Sequence, residues 1–546
     1  MLQLKPLAAP FIFDMLVGAQ VLPKRQQTKL LKSVAISVSF SMYCSESKLV
    51  VIASSLSNTV IQPYFVNDGV IARVPKFQVD LPGGSVDKPP KLTNTEVSVA
   101  VLYGQPYIFV IRNYPKTHVG HKADVTLYLV TREGCQKSHV LVLRENGRFM
   151  LNIVDNLVVV HSQPSRASYV FDIRSNAPSQ SQRHTHAGRA GVFKQARSAF
   201  QTHFPIVSST RIQPATIGVA PWQTHRLRDS SRTTIPVELY SRNWVAFHPN
   251  IIIDPSLGVL WRLRVLPSSL RHHMKEFDAL VDVLVRRTNG HDVIIQVLRE
   301  ALDPRQRVNI AAAGRVFDIV NRACMKAQPA QPNTTHLVQY QNVSQLDVYV
   351  HLLSAIRETE SMDNRTFVAV LLEYIRSLHE HDISVEHNVY DLLFAALVED
   401  GRFYQLHQFL QYHVIDDDKY LACRLLSIKD QYQPALQLAM DMFKRLGDSQ
   451  EEIFHVLLTQ QQIVTAMHYL RELGPAVNIR TPGSRLLKAV QAMGDPSLFL
   501  SAFEFFQERR RKHPNDFGVG DFEGMAKQFA ALQQQPSRSP SKPRPP

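Results

Sequence analysis

The residues of this chain that could do chemistry are few and scattered. His379-Glu380-His381-Asp382, with His387 close behind, is the one grouping of metal-ligand types. Two histidines two apart on a helix point about 200° away from each other, so they cannot share a metal while helical. A solvated helix end is the expectation there. His184 and His186 sit in a segment of loop composition and read as chance neighbours. Cys44, Cys135, Cys324 and Cys423 lie far apart and form no CxxC pair. That spacing argues against a disulfide framework or a zinc knuckle and for reduced thiols. Gly518, Gly520 and Gly524 follow a helical stretch rather than a strand, so they read as a flexible exit and not a phosphate loop. The chain has no GxxxxGK[ST], GxSxG or HExxH pattern. The expectation is no catalytic residue, no metal ligand and no cofactor site: a protein that is not an enzyme.

Charge is the next feature with chemical meaning. The 546 residues carry a formal net charge of +14, with ordinary globular usage of 45% hydrophobic and 20% charged residues. Such a length holds two to four domains with ample cores. Between Arg174 and Arg232 stand nine basic side chains and one acid, Asp229, a local charge of +8. The segment is rich in Ser, Gln, Thr and Pro, which is loop composition. A second basic run, Arg509-Arg510-Arg511-Lys512, precedes a tail ending PSRSPSKPRPP. Nucleic-acid sites interleave cations with stacking aromatics on a structured face, and neither segment does so. Solvated loops are the first reading, and weak attraction to an anionic membrane or an acidic partner is the second. Phe503, Phe505 and Phe506 beside the arginine run read as core of the last helix, with an amphipathic membrane-lying end as the alternative.

No stretch approaches the roughly 18 uninterrupted apolar residues of a membrane span. Leu7 to Leu22 follows Lys5 and is fairly apolar, as a secretory leader would be. Asp14 interrupts it, Pro6 and Pro10 crowd it, and no small-residue cleavage site follows. A start-site peculiarity or a buried strand fits better. Asn333 and Asn342 then stand in chance glycosylation patterns.

The front half must supply strands. Period-two and β-branched runs recur at 34–40, 48–54, 96–104, 107–112, 124–130, 139–144, 149–155 and 156–162, bounded by Gly, Pro, Asn or Asp. No helical stretch of ten or more residues intervenes, which favours antiparallel β over βαβ units. Residues 156–174 and 250–265 resemble each other: an Asn, an apolar strand, a turn, and a second strand ending in charge. Consecutive inner strands of a propeller blade look like this, and about four blades fit at ~40–45 residues each. A β-sandwich is the alternative.

From about Leu270 the apolar spacing turns helical. Phe367, Val370, Leu371, Tyr374 and Leu378 fall on one face, and Phe403, Leu406, Leu410 and Val414 repeat the stripe after Gly401. Pro434 suits a first helical turn, Leu438, Met442 and Leu446 share a face, and Gly447 is a stop. Ile463, Met467 and Leu470 continue the pattern. Short helices with short links predict stacked antiparallel pairs, an α-solenoid. Residues 327–345, with Pro329 and Pro332, read as a linker.

At VDNLVVVH (154–161), LYSRNWVAFHPNIIID (239–254), FVAVLLEYIRSL (367–378), LHQFLQYHV (406–414) and LAMDMFKRL (438–446) the chain resembles the metazoan Mic-one family, regulator of the Mon-one–Ccz-one complex. REGC (132–135) and LPKRQQTKLLKS (22–33) fit it too, and the resemblance spans about residues 18 to 510. It implies a partial WD40-like β-propeller followed by an α-helical solenoid, mixed β then α, in agreement with the periodicities. The expected organisation is 1–17 unassigned; 18–266 a propeller portion with a basic flexible insertion at about 174–232; 267–510 the solenoid, its family C-terminal domain at about 345–510; and 511–546 a flexible Pro/Ser/basic tail. The resemblance implies a non-catalytic subunit of a guanine-nucleotide exchange complex that activates the late-endosomal Rab-seven GTPase. Mon-one and Ccz-one would be its partners, and endosome maturation, lysosomal trafficking, autophagy and cholesterol export its context. Family members carry a longer N-terminal propeller region, so the expectation is an N-terminally short member, from a truncated gene model or an isoform. The alternative is a coat or tethering-complex subunit of the same propeller-plus-solenoid build, since fold does not fix function.

Overall fold

The structure is a computed structural model describing residues 3–6, 12–22, 27–54, 56–67, 70–83, 90–115, 121–175, 200–212, 226–228, 234–236, 239–256, 259–306, 308–327, 340–359, 362–474, 479–509, 517–518 and 521–533. The chain divides into two compact units: residues 1–361 with 376–382, and residues 362–375 with 383–546.

The first unit opens as a propeller-like series of small antiparallel sheets. Strands β1 (Gln3–Pro6), β2 (Ile12–Leu22) and β3 (Gln27–Ser37) pair in sequence order. Leu7 to Leu22 therefore contributes a strand. The run read as one strand at 34–40 is two: β3 ends at Ser37 and β4 (Phe40–Cys44) begins after a bend. β5 (Leu49–Ser54), β6 (Val60–Asn67) and β7 (Val70–Arg73) complete that meander, with β8 (Phe77–Gln78) also on β6. β9 (Val97–Leu102), β10 (Gln105–Asn113), β11 (Ala123–Val130) and β12 (Cys135–Leu143) form the next sheet, and β13 (Phe149–Val154), β14 (Leu157–Ser162) and β15 (Ala167–Phe171) the one after.

Why these sheets stack is visible in β10. Its run YIFVIR is buried on both faces, so it must be covered twice. Tyr107, Phe109 and Ile111 enter a core shared with Leu151, Val158, Val160 and Phe171 of the following sheet. Ile108 and Val110 enter another, with Leu49, Val51 and Ile61 of the preceding sheet. Each such buried side chain is worth about 1.5–3 kcal/mol. Face-to-face stacking of successive meanders is the blade arrangement expected.

Part of the segment expected as a flexible insertion at 174–232 is strand. Within it β16 (Gln201–His203) joins β12 in parallel, and β17 (Val207–Thr210) joins β15 antiparallel. Both satisfy sheet edges that would otherwise leave backbone groups unpaired. Their polar sequences, QTH and VSST, carry no alternation that could announce them. Residues 176–199 and 213–225 lie outside the described residues. A short ribbon of β18 (Arg226–Arg228) and β19 (Thr234–Pro236) precedes a sheet of β20 (Val245–Phe247), β21 (Ile251–Asp254) and β22 (Val259–Arg262). The Asn152 amide donates to the carbonyls of Pro249 (3.3 Å) and Ile251 (3.2 Å), tying β13 to that last sheet.

Helices α1 (Pro267–Leu270), α2 (Phe277–Leu284), α3 (His291–Ala301) and α4 (Ile310–Ala327) belong to the same unit, as do α5 (Gln345–Val348) and α6 (Ser354–Glu358). The sequence changes period near 267, but the packing divides only at 361/362. Of the linker read at 327–345, residues 328–339 lie outside the described residues. Its far end is pinned: the Gln341 N–H donates to the Val285 carbonyl at 2.7 Å, and Ser344 with Asp347 forms a capping box.

The second unit takes the first part of α7 (Asn364–Glu380) and continues with α8 (His387–Glu399), α9 (Phe403–Gln411), α10 (Lys419–Ser427), α11 (Pro434–Leu446), α12 (Gln450–Thr459), α13 (Ile463–Glu472), α14 (Pro482–Met493) and α15 (Pro496–Arg509). Packing runs between chain neighbours, as in a solenoid: α8 with α9, α10 with α11, α12 with α13, α14 with α15. Phe367, Val370, Leu371, Tyr374 and Leu378 are all buried, as are Leu406 and Leu410. On α11 the buried face is rotated from the expected one: Ala435, Ala439, Met442 and Phe443 are buried, while Leu438 and Leu446 are half-buried. Alanines let neighbouring helices approach closely, a signal that hydropathy undervalues. Gly447 takes φ 76° and closes α11 as the left-handed stop. The tail expected to be flexible from 511 contains a further helix, α16 (Asp521–Gln533). Phe522 and Phe529 stack on Phe503 with ring centres 5.5 and 4.5 Å away, which holds it in place. Residues 534–546 lie outside the described residues.

Candidate functional site

Few of the residues that could do chemistry come together. Among the described residues no three His, Cys, Asp or Glu side chains gather to hold a metal. His379 lies in the last turn of α7 and His381 follows the helix in a turn, while His387 opens α8 with its ring 5.9 Å from that of Tyr420. The four cysteines are unpaired, and burial pushes the Cys135 thiol up to about 12. Gly518 donates its N–H to Ser484 Oγ at 3.0 Å, and Gly520 lies outside the described residues. His184, His186 and residues 510–512 also lie outside them. Phe503 and Phe506 are core, and Arg509 turns inward to donate to the Leu470 carbonyl at 2.6 Å.

The polar chemistry lies instead in the first unit, in residues that no motif singles out. Ser168 Oγ and His161 Nδ1 are 2.8 Å apart, a hydroxyl beside an imidazole, with Tyr240 OH 2.8 Å from the same Oγ. Such a pair resembles a nucleophile and its base. His161 is 0% and Ser168 1% exposed, so no substrate reaches them. Burial pushes the imidazole down to about 3, and the trio works as a neutral lock between β14, β15 and residue 240.

A second buried cluster centres on Asp124. Arg112 grips both its oxygens at 2.8 and 2.7 Å, and Tyr114 OH donates at 2.7 Å. Burial alone would raise this carboxyl, but the Arg112 hydrogen bonds and charge outweigh it and hold it below its ordinary value.

The third cluster joins sheets to helices. Two tight turns, Tyr103-Gly104 and Asp155-Asn156, take positive φ at both positions, the geometry of a two-residue hairpin. They meet where the Tyr103 N–H donates to Asn156 Oδ1 at 2.6 Å. Asp172, just past β15, accepts from Tyr103 OH at 2.6 Å and from the Arg174 N–H at 2.9 Å. From the helical side, Arg287 donates to Tyr103 OH at 2.7 Å and to the carbonyl of Asp155, and Arg286 reaches Asp172 at 3.3 Å. Thr288 caps the contact by donating its N–H to Asp155 Oδ2 at 2.8 Å. The sequence did carry a signal for this. Asp172 follows an apolar inner strand, and Arg286-Arg287 follow directly on the largely apolar run ALVDVLV.

Beside this cluster opens a polar cleft of about 460 Å³ between the β9–β12 sheet and helices α2 and α4. Tyr107, His139 and Gln201 line the sheet side, and Arg286, Arg322 and Lys326 the helix side. Burial, helped by the neighbouring His203 and Arg174, pushes His139 down to about 4, so it stands neutral. Arg174, the first cation of the basic segment, lies on the Tyr103 ring with its guanidinium 4.6 Å from the ring centre. The cleft can bind; nothing in it pairs a nucleophile with a base.

Comparison with known proteins places the chain in a family. Residues 287–520 match the family "Regulator of MON1-CCZ1 complex, C-terminal". The human regulator of MON1-CCZ1 complex is 36% identical over 510 residues, covering 90% of this chain and 74% of the human one. The mouse regulator is 35% identical over the same shares. A Dictyostelium discoideum homologue is 36% identical over 158 residues, 28% of this chain and 16% of that protein. A chain from the COPII coat assembled on membranes aligns with 96% of this chain and 95% of its own at 11% identity and a TM-score of 0.12, too low to bear on fold. Identity above a third across nine-tenths of the residues settles the kinship: this chain belongs to the family of regulators of the MON1-CCZ1 complex.

Proposed function

We propose that this chain is a non-catalytic scaffold and regulatory subunit that assembles with the MON1-CCZ1 complex. The observation that carries the reading is the 36% identity to the human regulator over 90% of this chain. Stacked small sheets and paired helices suit it, because they offer long contact surfaces rather than one reactive centre. In this reading the Mon-one and Ccz-one subunits supply nucleotide exchange on the late-endosomal Rab-seven GTPase. The chain supports endosome maturation, lysosomal trafficking and autophagy from the cytosolic side of late-endosomal and lysosomal membranes. Its attachment is peripheral, through the complex, with the basic segment 174–232 adding weak attraction to anionic leaflets. Among the described residues no helix is long and apolar enough to cross a membrane.

Affinity purification of the tagged full chain tests assembly: the MON1 and CCZ1 subunits are the expected companions, and recovery of coat or tethering subunits in their place overturns the reading. Fluorescent-nucleotide release then tests the division of labour. The purified chain alone is expected to leave release from the GTPase at its intrinsic rate, and acceleration without partners would refute a non-catalytic role.

A further inference from the structure

The cleft in the first unit has an unbalanced charge. Arg174 follows β15, while Arg322 and Lys326 stand four apart on one face of α4. All three are exposed, and no carboxylate among the described residues pairs with them. The one acid in the wall, Asp282, is already spent on Arg286, which donates to both its oxygens at 2.9 Å. Arg286 is itself only 7% exposed and also reaches Asp172 at 3.3 Å, so its charge is already matched. Aromatic and amide groups complete the lining: Tyr107, Tyr340, whose ring lies 5.5 Å from the Lys326 ammonium, and Gln201.

We propose that this cleft is a binding site for a small, multiply phosphorylated ligand of the inositol polyphosphate class, free or as a lipid headgroup. The inference is independent of the assembly proposed above. Several observations select this chemistry. Three cations without a carboxylate partner call for a ligand with several negative charges, which a single carboxylate lacks. Guanidinium forks match phosphate oxygens in pairs. A cavity of about 460 Å³ lies within the range of small-molecule sites, and its polar walls suit a hydroxylated ring better than an apolar one.

Isothermal titration calorimetry of the full chain with inositol hexakisphosphate, against inorganic phosphate, reads the free form. Flotation with vesicles containing phosphatidylinositol bisphosphate reads the headgroup. The Arg322→Gln/Lys326→Gln variant alters two exposed side chains and is expected to keep the wild-type melting curve while binding at least about tenfold more weakly. Lys444→Gln, a surface cation of the second unit, is expected to change nothing. Binding in solution alone assigns the free ligand, binding to vesicles assigns the headgroup, and either supports the site. No binding to either phosphate probe, a double variant that binds like wild type, or saturation by a polyglutamate peptide alone overturns it.

Discussion

Arg287 and Asp172 stand 115 positions apart in the sequence, yet their side chains meet at 2.5 Å, 2% and 0% exposed. The contact joins the end of a sheet strand to the turn after α2. It explains why the first helices pack as part of the propeller-bearing unit. A buried ion pair is a weak source of net stability, but removing one partner leaves a charge with no water and no counter-ion.

Arg287→Ala is therefore expected to destabilise the first unit by about 3–5 kcal/mol. All three tryptophans of the chain fall within residues 1–361, with Trp244 and Trp261 among the described residues, so urea titration followed by tryptophan fluorescence reads that unit selectively. A midpoint equal to wild type would mean the pair is not buried as described.

Acid should weaken the same unit in two steps. Burial holds His161 down to about 3 and His139 and His248 down to about 4, against about 6.5 in the unfolded chain. Between those values the unfolded state binds more protons, so stability is full above about pH 6.5 and falls as pH drops. Asp172 acts lower. Burial alone would raise its carboxyl, but Arg287 and Arg286 outweigh that and hold it below 3.8, so its contribution is lost only beneath that value. The urea midpoint by tryptophan fluorescence is expected to decline steadily from about pH 6.5 to pH 5, and His161→Gln to flatten the decline. A midpoint constant over that range would contradict the neutral, buried histidines.

In the second unit, Leu371 is 0% and Leu410 2% exposed. Replacing either by Asp buries an unpaired carboxylate at a cost of several kcal/mol. Far-UV circular dichroism on heating is expected to show lost helicity and an earlier melt, with the tryptophan transition of the first unit less affected. Wild-type helicity in both variants would displace the assigned stripe.

Much of the fold was legible because it rests on local periodicity. YIFVIR and LVVVHS announce buried strands by their unbroken apolar runs, and Phe367, Leu371, Tyr374 and Leu378 a helix by their spacing. Where the signal was short or small it failed. QTH at 201–203 and VSST at 207–210 pair as strands through backbone groups that carry no side-chain pattern. Ala435 and Ala439 form the buried face of α11 although leucines flank them. Phe522 and Phe529, seven apart, did mark α16, but the neighbouring glycines suggest a loose exit instead.

Local sequence is enough for the order of strands then helices, the helix start at Pro434 and stop at Gly447, and the kinship carried by runs such as LYSRNWVAFHPNIIID. Those are properties of neighbouring residues, where hydropathy and backbone preference act over one or two turns. It takes the folded chain to set Asp172 against Arg287, to seal His161 and Ser168 from substrate, and to bring Arg174, Arg286, Arg322 and Lys326 to one cleft. These depend on how separate segments of the chain pack together, up to 115 positions apart for Arg287 and Asp172, where burial removes the water that would otherwise screen each charge and fill each hydrogen bond.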